Sequence, residues 1–390
     1  VTSPGIALAA GLLALAIWLY LLLARGGFWL ARERDDREVI APPARWPAVV
    51  AVVPARNEAD VIAQSISSLL AQDYPGPFRI VLMDDGSEDG TAAVALQAAE
   101  EVAGRARLEV FAGAPLPKGW TGKLWALQQG IRHASAIGEA PDYLLLTDAD
   151  IGHQPDNLRA LVARAERGGH ALVSLMAQLS CVTLAERWLV PAFVFFFQML
   201  YPFAWVARPD RSTAAAAGGC MLVRRAALEA AGGIASIRAD IIDDCALGRR
   251  LKAQGPIWLG LTRRARSLRP YGGFGEIGRM VSRSAYAQLG YSSLLLAGTV
   301  AGMVLTYMVP PALTLFGSGL ARATGLSAWL LMALAFQPML RFYRASPLWG
   351  LALPAIGAAY TLFTLQSALQ VWRGRGGMWK GRAQAMAGGA

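Results

Sequence analysis

Ile80-Val81-Leu82-Met83-Asp84-Asp85-Gly86-Ser87-Glu88-Asp89-Gly90-Thr91 decides the fold. Four apolar residues read as a buried strand. Two carboxylates stand at its end, and a Gly/Ser/Asp turn then opens a helix. The same grammar recurs on both sides. Trp46–Val53 reads as a strand and Glu58–Gln72 as a helix. Arg79–Met83 is a strand followed by a helix at Thr91–Val102. Arg107–Phe111 is a strand followed by a helix at Lys123–Ala134, and Tyr143–Thr147 a strand followed by a helix at Pro155–Arg167. Strands alternating with helical patterns predict an α/β fold with a mostly parallel sheet. Such sheets carry ligands at the carboxyl ends of their strands.

Outside this segment the chain is unusually apolar. Of its 390 residues, 55% are hydrophobic and 16% charged, against roughly 25% charged in soluble domains. Disorder is excluded, and an ordinary soluble enzyme does not fit. Ile6–Leu23, IALAAGLLALAIWLYLLL, carries no charge. It makes about 27 Å of helix, enough for a bilayer core of roughly 30 Å. A cleaved signal peptide would want basic residues before the run. Here Arg25, Arg32, Arg34 and Arg37 follow it, so an uncleaved anchor with its basic flank in the cytoplasm is expected. Ser293–Phe316, Leu326–Leu340 and Pro347–Gln370 are three further apolar runs. Pro310-Pro311 should kink or end the first, and the middle one is short for a span. Trp188–Val206 is long enough to cross. It lies between acidic motifs that would need one side of the membrane, so an interfacial or protein-buried segment is expected.

The expected organisation is an N-terminal transmembrane anchor at 1–30, a cytosolic catalytic domain at 45–290 with an interfacial segment at 186–206, a C-terminal transmembrane region at 291–372 and a basic Gly/Ala-rich tail at 373–390. Net charge is +10. Arginines beside apolar runs assign that charge to membrane orientation and anionic lipid rather than to nucleic acid. Three Cys and three His are scattered without metal-ligand spacing, which argues against structural zinc or a disulfide framework.

The chemistry-bearing stretches are acidic. Asp84 and Asp85 end a strand, or else cap a turn and helix. Leu144–Thr147 runs into Asp148-Ala149-Asp150. Alternate residues of an extended segment face one way, so both carboxylates could reach one hard cation. Asp243-Asp244 precedes a helix expected at Ala246–Ala253; these two are caps, or in a site a general base for an acceptor hydroxyl. Lys118-Gly119-Trp120-Thr121-Gly122-Lys123 lacks the spacing of a Walker A loop but can bring Lys123 to a phosphate. Ala214–Met221, AAAAGGCM, sets Gly218 and Gly219 where backbone can approach a ligand or make a tight turn. No nucleophile elbow and no dinucleotide fingerprint is present.

In combination these motifs resemble membrane-bound glycosyltransferase family 2. They run in the order Pro54-Ala55-Arg56-Asn57-Glu58, then the Asp84–Thr91 motif, the Thr121-Gly122-Lys123 loop, Asp148-Ala149-Asp150 and Asp243-Asp244, all before apolar C-terminal runs. Gly119–Leu127 (GWTGKLWAL), Ala214–Arg225 (AAAAGGCMLVRR) and Ile242–Cys245 (IDDC) are similar to the hopene-associated glycosyltransferases of that family. The resemblance implies a GT-A, Rossmann-like catalytic domain between N-terminal and C-terminal transmembrane helices. It implies inverting transfer of a sugar from a nucleotide-sugar, a UDP-sugar, to a lipid hydroxyl of hopanoid type. It implies a divalent Mg²⁺ or Mn²⁺ cofactor and a multi-pass inner-membrane protein with its catalytic domain in the cytoplasm. Its alternatives are a polyprenyl-phosphate sugar transferase of the same fold and a non-enzymatic membrane scaffold.

Residue by residue, the resemblance implies that Asp85 with Asp84 holds uracil and ribose, and that Asp148 and Asp150 bind the metal at the diphosphate. Asp244 would be the base, with Asp243 beside it. Pro54, Arg56, Glu58, Lys123, Gly218 and Gly219 would line the nucleotide-sugar site. The family's Q/R-x-x-R-W motif corresponds to Gly278–Ser284, which keeps Arg283 but lacks the Trp and the first Gln/Arg in register. Arg283, or Arg279 as a substitute, would clamp the diphosphate.

Overall fold

The structure, a computed structural model, describes residues 4–136 and 140–374, and in backbone only 378–379 and 382–383. Most of the tail expected at 373–390 therefore lies outside the described residues. The chain divides into two compact units. Among the described residues, one joins 33–180 with 205–270, and the other joins 4–32 with 181–204 and 271–374. The stretches 181–204 and 271–290, expected within a continuous domain at 45–290, group with the apolar helices.

The first unit holds an eight-stranded sheet. Its strands are β1 (Val49–Ala55), β2 (Phe78–Asp84), β3 (Leu108–Ala112), β4 (Tyr143–Thr147), β5 (Ile151–His153), β6 (Leu172–Gln178), β7 (Cys220–Arg224) and β8 (Ile257–Ser267). Their spatial order is β3-β2-β1-β4-β7-β6-β8-β5. β3, β2, β1 and β4 run parallel, with Val52 opposite both Val81 and Leu146. β6 and β8 are also parallel, while β7 lies antiparallel between β4 and β6, and β5 antiparallel to β8. Every residue of β1 is buried, as expected for a central parallel strand covered on both faces. Helices Ile62–Leu70, Thr91–Glu101, Gly122–Ala136 and Asn157–Gly168 connect these strands. Each lies within a few residues of its expected place. β5 to β8 have no counterpart among the expected strands.

One expected geometry is corrected. Asp148-Ala149-Asp150 is not extended. It forms a turn between β4 and β5, closed by the Ile151 amide on the Asp148 carbonyl at 3.3 Å. Strand alternation therefore does not aim these two carboxylates; the turn does.

The second unit is helical. Among the described residues, four helices are long and apolar enough to cross a membrane: Pro4–Leu23, Leu184–Val206, Ser293–Phe316 and Gly319–Phe342. Leu353–Trp372 is a further 20-residue helix. The Pro310-Pro311 pair does not end its helix. A π-helical turn at Val304–Met308 precedes Val309–Phe316, and such a wide turn accommodates the missing proline N–H and the bulk of the ring. The middle run is longer than expected. Gly319–Phe342 spans 24 residues and takes in Arg322 and Arg341 near its two ends, where long side chains can carry their charge outward. Leu184–Leu200 starts at a capping box between Thr183 and Glu186. It is largely buried, with Phe195 against Phe28 and Phe336 at ring separations of 5.3 and 5.2 Å.

Candidate active site

The site is built in the sheet unit from loops at the carboxyl ends of β1, β2 and β4, together with the approach to β7. At β2 the Asp85 amide donates to the Ala55 carbonyl at 2.8 Å, which ties the tip of β2 to β1. Arg56 Nη1 donates to the Asp85 and Gly86 carbonyls and lies 4.0 Å from the Asp85 carboxylate, whose side chain is 2% exposed. Asp84 has a turn role, since its Oδ1 accepts from the Ser87 amide at 2.9 Å. Asp89 accepts from the Thr91 amide at the start of the next helix and from the Ala59 amide. Asp84 therefore matches its capping reading, and Asp85 is the buried acid of the pair. Pro54 lies beyond the last β1–β4 partner pair, Val52–Leu146. On that side its missing N–H costs no ladder bond.

Lys123, in the first turn of Gly122–Ala136, brings distant acids together. Its Nζ lies 2.8 Å from Asp148 Oδ1 and 3.4 Å from Asp243 Oδ2. Burial works against its charge, but Asp148 and Asp243 outweigh that and hold the ammonium protonated. Asp243 and Asp244 do not precede their helix. They form its first turn, in Asp243–Lys252, where the positive end of the helix favours carboxylates. Asp244 Oδ2 accepts from the Gly218 amide at 3.0 Å, and Oδ1 accepts from the Cys245 amide at 2.7 Å. Burial and the Asp243 charge push its carboxyl up to about 6, against the pull of Lys123.

Two glycines let the backbone come close beneath this cluster. A Cβ on Gly218 would stand 3.3 Å from Lys123 Nζ and 3.6 Å from Asp244 Oδ2, and one on Gly219 would stand 3.2 Å from Ile151. The 214–219 backbone thus forms a shelf against the two acids. Ser174 holds that shelf from below. Its hydroxyl accepts from the Ala217 amide at 2.8 Å and donates to the Ala217 carbonyl at 3.2 Å.

Asp150 is also pushed up to about 6, by burial and by the charges of Asp148 and Glu58. The counter-charge there is a residue that sequence reasoning missed. Arg269 pairs with Glu58 at 2.5 Å and with Asp60 at 3.0 Å, and it draws the Asp150 carboxyl down. It follows β8, a strand not anticipated, and nothing in Ser267-Leu268-Arg269-Pro270 marks it beforehand. Glu58 is thus an ion-pair partner in this structure. Arg279 lies on the helix Phe274–Ser282, and Arg283 is its C-terminal cap residue. Both belong to the helical unit, so the cluster described here is formed without them.

Among the described residues no group of three or more His, Cys, Asp or Glu is arranged to hold a metal ion. The donor set does fit a hard cation of another kind. Mg²⁺-type sites often use one or two carboxylates and complete their shell with substrate phosphate oxygens and water. Asp148 and Asp150, two oxygen donors in one turn, provide that much.

Residues 50–232 match the family model described as glycosyl transferase family 2. An N-acetylglucosaminyltransferase of Mesorhizobium japonicum is 30% identical over 192 residues, which cover 47% of this chain and 41% of that protein. One from Rhizobium leguminosarum is 30% identical over 191 residues, covering 47% and 40%. The chain thus spans about two fifths of the length of these curated relatives. A mannosyltransferase from Pyrobaculum calidifontis, solved in complex with GDP-Man and Mn²⁺, superposes with a TM-score of 0.59 at 20% identity. The match covers 93% of this chain and 99% of that one. At this identity the likeness establishes a shared GT-A-type fold.

Proposed function

We propose that the chain is a membrane-bound, inverting glycosyltransferase that moves a sugar from a nucleotide-sugar to a lipid hydroxyl. The observation that carries this reading is the placement of Asp244. Its carboxylate is oriented by the Gly218 amide beside an ammonium that also reaches Asp148. A base and a diphosphate-binding end are then side by side.

In the proposed step, Asp244 takes the proton of the acceptor hydroxyl. The oxygen attacks the anomeric carbon, the bond from that carbon to the diphosphate breaks, and the nucleoside diphosphate leaves with the bonding pair. Transfer in one displacement inverts the configuration. Each Asp244 oxygen accepts one backbone N–H and keeps a second lone pair for the incoming proton. A raised carboxyl pKa brings the base nearer to neutrality, where general-base catalysis gains most. Lys123 supplies fixed positive charge toward the departing diphosphate, a preorganised electrostatic task. When bound, a divalent cation at Asp148 and Asp150 would neutralise charge developing on that leaving group. Asp85 with Asp84 would hold the nucleoside, steadied by Arg56. Arg283, or Arg279, is retained as the proposed diphosphate clamp on the strength of the family resemblance alone.

The donor is proposed to be a UDP-sugar, with UDP-N-acetylglucosamine the first to test because the rhizobial relatives are named for that transfer. A lipid acceptor is supported by helices apolar and long enough to span a bilayer. A hopanoid-type acceptor is supported by the Gly119–Leu127, Ala214–Arg225 and Ile242–Cys245 resemblance, and it implies a multi-pass inner-membrane protein whose catalytic domain faces the cytoplasm. The deciding experiment is Asp244→Asn assayed for sugar transfer in membranes. Loss of about a hundredfold or more is expected for a general base. Turnover near the unsubstituted rate would remove Asp244 from that role and favour an acceptor that is already anionic, such as a polyprenyl phosphate.

A further inference from the structure

Beneath the shelf that orients Asp244 lies a buried polar chain that the mechanism above does not use. Thr147 ends β4, and its hydroxyl lies 2.8 Å from the Gly219 carbonyl. A carbonyl only accepts, so the single Thr147 proton points at Gly219. The same oxygen lies 3.0 Å from His153 Nε2. Its proton being committed, Thr147 must accept there, which places the imidazole proton on Nε2. Nδ1 is then the accepting nitrogen, and Asn157 Nδ2 stands 2.9 Å from it as donor. Thr147, His153 and Asn157 are all buried, at 2%, 6% and 0% exposure. Burial holds His153 down at about 4, hence neutral at physiological pH. The tautomer is therefore set by its partners.

The polarity runs one way: Asn157 to His153, His153 to Thr147, Thr147 to the Gly219 carbonyl. One residue back along the shelf, the Gly218 amide donates to Asp244 Oδ2 at 3.0 Å. We propose that Thr147 and His153 are positioning residues for the base, fixing the glycine pair at its Gly219 carbonyl so that the neighbouring Gly218 N–H holds the Asp244 carboxylate at the acceptor hydroxyl. This rests on the transfer reading above and adds residues to it. The chain is worth burying because a glycine pair is the most mobile backbone available, while an orienting contact must be held to about 0.5 Å. Ser174 holds the Ala217 carbonyl before Gly218, and the Thr147 hydroxyl, its own orientation locked by a neutral imidazole, holds the Gly219 carbonyl after it.

The test uses the full-length protein in detergent with UDP-N-acetylglucosamine, Mn²⁺ and a lipid extract of the native membrane, with UDP release as readout. Thr147→Val removes the donor and the acceptor at nearly constant volume, and His153→Leu removes the far anchor. Each is expected to lower kcat about ten- to a hundredfold, the usual loss when an orienting partner is removed, with donor KM changed less than about twofold. Thr147→Ser keeps the hydroxyl, and His153→Gln places an amide N–H where Nε2–H stood; both should recover most of the lost kcat. If Thr147→Val and His153→Leu turn over at the unsubstituted rate, the positioning role is overturned while the transfer reading stands. If Thr147→Ser and His153→Gln are as impaired as their apolar counterparts, the residues act through packing and the proposal is overturned. Should the unsubstituted protein turn over neither UDP-N-acetylglucosamine, UDP-glucose nor GDP-mannose, the transfer reading falls and the positioning role with it.

Discussion

Asp244 and Asp243 are adjacent in sequence yet differ in work, and the difference is electrostatic. Asp243 faces Lys123 at 3.4 Å, whereas Asp244 is held by two backbone amides. A carboxyl pushed up to about 6 loses its basic form as pH falls through that value. Turnover should therefore rise with pH to a plateau above about 6, measured as kcat in buffers of constant ionic strength. The Asp243 charge is one of the causes of that elevation. Removing it with Asp243→Asn should move the acidic limb to lower pH; a limb moving upward would contradict the assignment. Motif residues were legible from the sequence because an acid ending an apolar strand stands at the carboxyl end of the sheet, where such folds bind ligands. Whether such an acid caps or binds was not legible. Asp84 and Asp85 are chemically alike, and only the position of Arg56 and the turn amides distinguishes them.

At the scale of elements, the helix Asp243–Lys252 lies directly on the shelf. A Cβ on Gly248 would stand 2.9 Å from the Ala215 backbone carbon. In an open helix Gly→Ala gains about 1 kcal/mol. Here the opposing atoms are backbone and cannot rotate away, so overpacking should prevail. Gly248→Ala is expected to destabilise the protein by about 1–3 kcal/mol and to lower kcat, read by thermal unfolding in detergent and by UDP release. A raised melting temperature would show that the helix does not lie so close. The first four strand–helix pairs were readable because each buried parallel strand is a continuous apolar run. β5 has three residues and β8 carries Arg263, Arg264 and Arg266. Neither offers a periodic signal, so both were missed. The Asp148–Asp150 turn was missed for a related reason, since a carboxylate pair reads the same in a strand or in a turn.

For the molecule as a whole, exposed Leu294, Phe316, Leu320 and Leu362 lie on helices of the second unit. Water would penalise that much apolar surface. The chain should stay with the membrane fraction through an alkaline carbonate wash and leave it only with detergent; release by carbonate would contradict spanning helices. A strain lacking the gene should lose a sugar-sized adduct on a polycyclic lipid, read by mass spectrometry of its lipids, and an unchanged lipid profile would remove the hopanoid-type acceptor. Chelation should abolish turnover, and Mn²⁺ or Mg²⁺ should restore it, because two carboxylates, with no third His, Cys, Asp or Glu grouped with them among the described residues, hold a cation only with the diphosphate's help.

By itself the order of residues determined the parallel half of the sheet, the apolar helices and the acids worth watching. Each of these follows from local pattern, a run of buried side chains or a charge at its end. Tertiary structure alone decided that Lys123 stands between Asp148 and Asp243, that Arg269 returns to Glu58, and that Thr147 and His153 underlie the glycines. Such pairings join residues up to 211 positions apart. Their energies depend on distance and burial in the folded chain, quantities that no local stretch of sequence contains.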